Sequence, residues 1–293
     1  MLLVCGTIPH ERSEPILGPA VLDNGTLVVG DLRIPCGQGT AAMISAACAV
    51  TQHLGIDPPH ALLAGDIGQG KGSRALYRYL SQHIRHIAPQ VLCLHYMLPI
   101  VTLIKQLEAQ IERCKQRPLL LADAGAMYAA KAAGLARRFD VFTPDRAELA
   151  FLADPRADHP AYIAEHLIYD CAADPAKQIA RAYKEGNAPQ LTLIKGAEDL
   201  VARAGVIQAR IDSPNVPQME AVGGTGDTIT GLLAALLYAG LEPHEAAIIA
   251  AKANRAAGSH AAMQVDSSIV KLIQSLPEVL NENLCAWSGV CTV

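Results

Sequence analysis

The sequence predicts an α/β protein: a mainly parallel central sheet with helices on both faces, a three-layer αβα arrangement. Two observations carry that prediction. Apolar β-rich runs alternate with Ala-rich helical runs nearly to the end of the chain, the order that βα units require. The apolar content, 51% of 293 residues, comes mostly from Ala, Leu, Ile and Val, with only 4% aromatic residues. Ala helices can approach a sheet closely, because a methyl group takes little room and loses no rotamer entropy on burial.

In chain order the strands are expected at Leu2-Val4, Leu27-Val29, Ala61-Ala64, Val91-His95, Leu119-Ala122, Val141-Thr143 and Leu191-Lys195. Helices are expected at Thr40-Leu54, Gly72-Ile87, Pro99-Gln116, Gly125-Ala133, Arg146-Leu152, Pro175-Gly186, Asp227-Tyr238 and Pro243-Met263. No polar linker or internal repeat divides them, so residues 1–293 read as one domain, with Asp154 to Pro160 as an exposed loop. Leu280 to Val293 has no strong period and reads as a docked C-terminal tail or a subunit contact.

Composition excludes several classes. The net charge is −4, from 24 Lys+Arg against 28 Asp+Glu, which gives no basic footprint for nucleic acid or a membrane surface. Any anionic ligand must therefore be held by local geometry. The most apolar run, Gly231 to Gly240, is about half of the ~20 residues a membrane span needs and reads as a buried helix. The N-terminal apolar run meets Pro9 and then Glu11-Arg12, unlike a signal peptide, and reads as an opening strand. The eight cysteines show no C-x-x-C pair, consistent with reduced, mostly buried thiols in a cytoplasmic protein.

Two glycine-rich segments compete for an anion. Gly65-Asp66-Ile67-Gly68-Gln69-Gly70-Lys71-Gly72-Ser73 follows a strand and opens a helix, as a phosphate loop would. Gly72 stands where a P-loop needs a hydroxyl, and Ser73 is turned about 100° away round the helix. A P-loop, a different anion-contacting loop and a surface turn all stay open. The second segment is Gly223-Gly224-Thr225-Gly226-Asp227, followed at once by an apolar helix. Its glycines let the backbone approach a phosphate, and the first-turn N–H groups can stabilise developing charge. Asp227 beside them is placed to take a proton from an attacking hydroxyl. An Asp N-cap after a glycine turn is the plain alternative.

Gly224-Thr225-Gly226-Asp227 and the helix behind it resemble the anion hole and catalytic Asp of the ribokinase-like superfamily, within it most nearly the ADP- or ATP-dependent NAD(P)H-hydrate dehydratases. Other segments follow in that family's order. Leu120 to Met127 resembles its D-A-D-A-L strand end, Phe142 to Leu149 its T-P-H-x-x-E-h turn, and Leu193 to Ala197 its nucleotide-side strand end. Ala250 to Gly258 resembles its A-x-x-x-x-x-x-A-G helix, with a weaker echo in Gly39-Thr40-Ala41-Ala42.

The resemblance implies a ribokinase-like fold and an anion hole at Gly224, Thr225 and Gly226, with Asp227 as base. It also implies an adenylate pocket at Lys195, Gly196, Ala197 and Asp199, with Asn254 nearby. ATP or ADP and Mg²⁺ are the implied cofactors, the metal being held through water by Glu148, and the implied assembly is a homo-oligomer. Asp123, Asp145 and His95 are candidates for substrate contact. The alternatives are helix capping for Asp123, an exposed first-turn pair for Asp145 and Glu148, and a packed, hydrogen-bonded strand end for His95.

There are departures from the family pattern. His95-Tyr96-Met97-Leu98-Pro99 stands where the family has G-P-G-L-G, Gly125 replaces the second Asp of D-A-D, and Asp145 replaces the His of T-P-H. Three functions follow: a dehydratase for hydrated NAD(P)H, a kinase for a small alcohol such as a sugar, vitamin precursor or hydroxymethyl heterocycle, and a non-catalytic nucleotide-binding relative.

Overall fold

A computed structural model describes residues 1–157 and 174–289. In chain order the strands are β1 (Leu2–Ile8), β2 (Ile16–Asp23), β3 (Thr26–Val29), β4 (Leu32–Pro35), β5 (His60–Gly65), β6 (Val91–His95), β7 (Leu119–Ala122), β8 (Val141–Phe142), β9 (Leu191–Ile194), β10 (Asp199–Arg203) and β11 (Val206–Ile211). The helices are α1 (Thr40–His53), α2 (Lys71–Ile87), α3 (Val101–Ile111), α4 (Gly125–Ala132), α5 (Arg146–Ala153), α6 (Pro175–Lys184), α7 (Thr225–Tyr238), α8 (Pro243–His260) and α9 (Ile269–Ser288).

All of the described strands join one sheet in the order β11-β10-β9-β8-β7-β6-β1-β5-β2-β3-β4. The run β5-β1-β6-β7-β8-β9 is parallel, and antiparallel strands extend it at both edges. Successive side chains of β1 divide between the faces, as the strand period demands. Leu2 and Val4 belong to the core shared with α1, α7, α8 and α9, whereas Leu3 and Cys5 belong to the core shared with α2 to α5. The expected three-layer α/β architecture is what the chain forms.

The Ala-rich composition has the packing consequence foreseen. Every residue of α1 from Thr40 to Thr51 is buried. A Cβ on Gly231 of α7 would lie 2.1 Å from Met43 O of α1, so these helices meet backbone to backbone at a spacing that no larger residue allows.

Three expectations change. β2, β4, β10 and β11 are additional strands, each antiparallel to its neighbours. Residues 280–288 continue α9, whose Leu280 and Leu284 are buried, and residues 290–293 lie outside the described residues. Cys5, Cys36, Cys48, Cys93 and Cys114 are free, but Cys285 is disulfide-bonded, which corrects the expectation of reduced thiols at that position. Cys171, Cys291 and the end of the Asp154–Pro160 loop fall outside the described residues. No described helix is long and apolar enough to cross a membrane.

Candidate active site

The C-terminal ends of adjacent parallel strands share one edge of the sheet, where open α/β sheets form their crevice. Thr7 lies on β1, His95 ends β6, and Asp123, Thr143 and Lys195 directly follow β7, β8 and β9. The first turns of α1 and α7 point into the same edge, because Gly39 N donates to Asp227 Oδ2 at 2.7 Å.

Gly224 caps α7 at φ 96°, a left-handed conformation that glycine adopts without strain. The first helical bond is Thr228 N to Gly224 O, at 2.9 Å, so the N–H groups of Thr225, Gly226 and Asp227 have no helical acceptor. Thr225 does not offer its hydroxyl to the crevice. Its Oγ1 donates to Val222 O at 3.1 Å. Asn254 braces the same turn, accepting from Thr228 Oγ1 at 2.6 Å and donating to Thr225 O at 3.1 Å.

Asp227 is 13% exposed, while His95 beside it is fully buried, with Nε2 3.1 Å from Asp227 Oδ1. Burial pushes the Asp227 carboxyl up, but His95, Lys195 and the Gly39 N–H together outweigh it and hold the group below the usual carboxylate range. Lys195 Nζ lies 2.8 Å from both oxygens of Asp123. Burial disfavours that ammonium, yet Asp123 and then Glu148 more than compensate, so its affinity for the proton rises. The Asp123 carboxylate also accepts from Thr230 Oγ1 at 2.7 Å and from Ala124 N at 2.8 Å. Its place is thus inside a buried network rather than open to a substrate. His95, Asp123 and Asp227 could converge on a cation, each offering one ligand atom within 4.8 Å of the others. The Lys195 ammonium already supplies that positive charge.

On the far side of Gly226 a cavity of about 650 Å³ opens between Asp145, Gly196, Ala197, Val216 and Asn254. Lys195 and Gly226 stand at its boundary with the Asp227 side. Asp199 fixes its floor. The buried Asp199 carboxylate accepts from Gly196 N at 3.0 Å and from Arg255 Nε at 2.7 Å, and Arg255 Nη2 donates to Gly196 O and Ala197 O at 2.8 Å. Asp145 caps α5 in a reciprocal box with Glu148: Glu148 N donates to Asp145 Oδ1 at 2.7 Å, and Asp145 N to Glu148 Oε2 at 2.8 Å.

The two departures around β6 and β7 are one packing event. A Cβ on Gly125 would lie 2.5 Å from Met97 O, so the bulkier His95–Pro99 segment occupies the room that a side chain at 125 would need. Gly125→Asp is expected to lower stability by about 1–3 kcal/mol, the usual range for overpacking. Urea unfolding checks this, and an unchanged midpoint would show that the segment yields freely.

The rival glycine loop is not an open phosphate site. Asp66 Oδ1 accepts from Gly68 N at 3.1 Å and from Gly70 N at 2.8 Å, and Asp66 Oδ2 accepts from Ser73 N at 3.1 Å. The loop's own carboxylate fills the backbone cradle. Ser73 Oγ also accepts from Leu98 N at 3.1 Å, so the loop buttresses the His95–Pro99 segment.

The chain is similar to known proteins. A family model described as NAD(P)H-hydrate dehydratase matches residues 102–278, well over half of the chain. The chain belongs to that family. It is 33% identical over 242 residues to the uncharacterized protein MJ1337 of Methanocaldococcus jannaschii, a match covering 83% of this chain and 100% of that protein. It is 41% identical over 117 residues to the bifunctional NAD(P)H-hydrate repair enzyme Nnr of Hyperthermus butylicus, covering 38% of this chain but only 21% of that longer protein. Among solved structures, the ADP/ATP-dependent NAD(P)H-hydrate dehydratase of Bacillus subtilis, co-crystallized with ATP/Mg²⁺, superimposes with a TM-score of 0.57 at 12% identity, over 96% of this chain and 88% of that one. The fold of this family member is thus ribokinase-like.

Sequence reasoning missed Thr7, Thr143, Thr230 and Arg255 as site-building residues. Their signal was local, a hydroxyl or guanidinium at a strand end or on an apolar helix, but their partners are distant in sequence.

Proposed function

We propose that this family member uses a nucleotide to phosphorylate the hydroxyl of hydrated NAD(P)H and so promotes its dehydration. The observation that carries the reading is the start of α7. N–H groups without helical acceptors lie there between a cavity of about 650 Å³ and the Asp227 carboxylate. The adenylate would occupy the cavity against Gly196 and Ala197. Its terminal phosphate would rest on Gly224, Thr225 and Gly226, near Lys195, whose Nζ would be 3.8 Å from a Cβ on Gly226.

Asp227 would take the hydroxyl proton as the substrate oxygen attacks phosphorus and the bond to the departing nucleotide breaks. Loss of the new phosphate together with a neighbouring ring proton then regenerates the reduced nicotinamide. Mg²⁺ is the implied metal. Glu148 would hold it through water; burial, then Asp123, push its carboxyl up against the opposing Lys195, and a nearby cation would favour the ionised form. A divalent cation would relieve that crowding of negative charge.

A second reading has its own observation. The Met97–Gly125 contact removes room and a carboxylate from the acceptor side, which favours a smaller alcohol as substrate. Purified protein given hydrated NADH with ADP or ATP separates the two. Return of NADH absorbance supports the dehydratase. No return with either nucleotide, alongside ATP consumption with a small alcohol, overturns it in favour of the kinase.

Tyr96 bears on the same choice. It is 50% exposed, and its ring centroid lies 4.1 Å from that of His95. Burial and then the charge of Asp227 push its hydroxyl up to about 12, so the phenol keeps its proton. A planar substrate ring can stack there. Tyr96→Asn suits the positive φ of 49° at this position. It should raise KM for a ring-bearing substrate roughly 3- to 10-fold with little change in kcat, as expected for one lost stacking contact. An unchanged KM would remove Tyr96 from the substrate site.

A further inference from the structure

Arg255, on α8, has most of its guanidinium tied inside the protein. Nε donates to Asp199 Oδ2 at 2.7 Å, and Nη2 donates to Gly196 O and Ala197 O at 2.8 Å. Nη1 has no acceptor among the described residues, although the side chain is only 8% exposed. Nor is Nη1 sealed away from solvent as an orphaned buried atom would be. The solvent-filled space that Arg255 lines is the cavity of about 650 Å³. A guanidinium nitrogen only donates, so its partner there must be an acceptor on a ligand.

Two observations give that acceptor its class. Asp199 already neutralises the guanidinium, which leaves Nη1 as a directed donor rather than a free charge for phosphate. The surroundings are also apolar: Ala197, Val216, Met219 and Ile229 line the same cavity. The Met219 sulfur lies over Gly258, one turn of α8 beyond Arg255, so closely that a Cβ there would displace it. Apolar walls with one placed donor suit a planar heterocycle, whose faces pack on side chains while a ring nitrogen accepts.

We propose that Arg255 is a nucleobase-binding residue, its Nη1 donating to a ring nitrogen of an adenine seated in the cavity. The proposal rests on the cavity being the adenylate site and deepens that reading. Arg255 falls at an unspecified position of the A-x-x-x-x-x-x-A-G stretch, so the family resemblance assigns it no role.

Equilibrium titration with ATP and with its 1-deaza, 3-deaza and 7-deaza analogues tests this, each analogue carrying C–H in place of one ring nitrogen. One analogue should bind the wild type about 10-fold more weakly than ATP, the loss expected for a hydrogen bond from a charged donor. In Arg255→Lys the ammonium can still pair with Asp199, but Nη1 is gone. The difference between ATP and that analogue should then shrink to no more than about twofold, as it does when one partner of a contact is already missing. A purely structural role would weaken all four ligands by one common factor. Three analogues that bind the wild type like ATP, or a difference that persists in Arg255→Lys, would overturn the proposal. Inorganic tripolyphosphate should bind Arg255→Lys as it binds the wild type, and a loss equal to that of ATP would move the contact to the phosphates and overturn it too. Should Arg255→Lys fail to fold, Arg255→Met with Asp199→Asn removes both buried charges and makes the same comparison. A wild type that binds tripolyphosphate but not ATP would sink the adenylate reading itself, whereas tight ATP binding without any deaza effect sinks only the role of Arg255.

Discussion

Asp227→Asn should lower turnover by about 10²–10⁴-fold while nucleotide affinity stays within about threefold, the range that loss of a general base produces. The amide is nearly isosteric, and its oxygen can still accept from Gly39 N, now at 2.7 Å from the carboxylate. What it loses is the ability to take a proton. The first-turn N–H groups of α7 that would hold the phosphate come from the backbone and are untouched. Loss should therefore fall equally on kcat and kcat/KM, the signature of an interaction made only in the transition state. Stopped-flow turnover with equilibrium binding of an ATP analogue measures both. Full activity in the variant would show that Asp227 is only a first-turn residue of α7, and equal loss of binding and turnover would show a structural role.

How much of this was legible in the sequence depends on how local the signal is. The parallel strands β1, β5, β6, β7, β8 and β9 are buried on both faces and therefore read as unbroken apolar runs. β2, β4 and β11 have exposed residues in their burial patterns, as edge and hairpin strands do, and lack that signature. The last helix was obscured by Pro277 in its interior, a residue that normally ends a helix. In the site, Gly224 to Asp227 was legible because a glycine turn and a helix start are contiguous. The Asp227–Gly39 contact joins residues 188 positions apart and exists only because α1 and α7 enter the same sheet edge. The Gly65–Ser73 loop carried its answer locally. An Asp followed by glycines folds its carboxylate onto the next backbone N–H groups, and Asp66 does this.

The Lys195–Asp123 pair should show the largest stability effect in the molecule. Lys195→Met leaves the Asp123 carboxylate, 1% exposed, without its cation, and should cost about 3–5 kcal/mol in urea unfolding at pH 7. Because folding raises the proton affinity of Lys195, the stabilisation is complete below the ordinary lysine range and fades only as pH climbs through the higher folded value. A measurement at pH 7 therefore captures all of it. Adding Asp123→Asn to Lys195→Met removes the stranded charge while keeping groups that can bond Thr230 and Ala124, so the double variant should be more stable than Lys195→Met alone. Turnover should not recover with stability, because the ammonium beside Gly226 is still missing. If the double variant regained both, Lys195 would serve only to neutralise Asp123. If it regained neither, the cost would lie in lost packing of the lysine stem rather than in the charge pair.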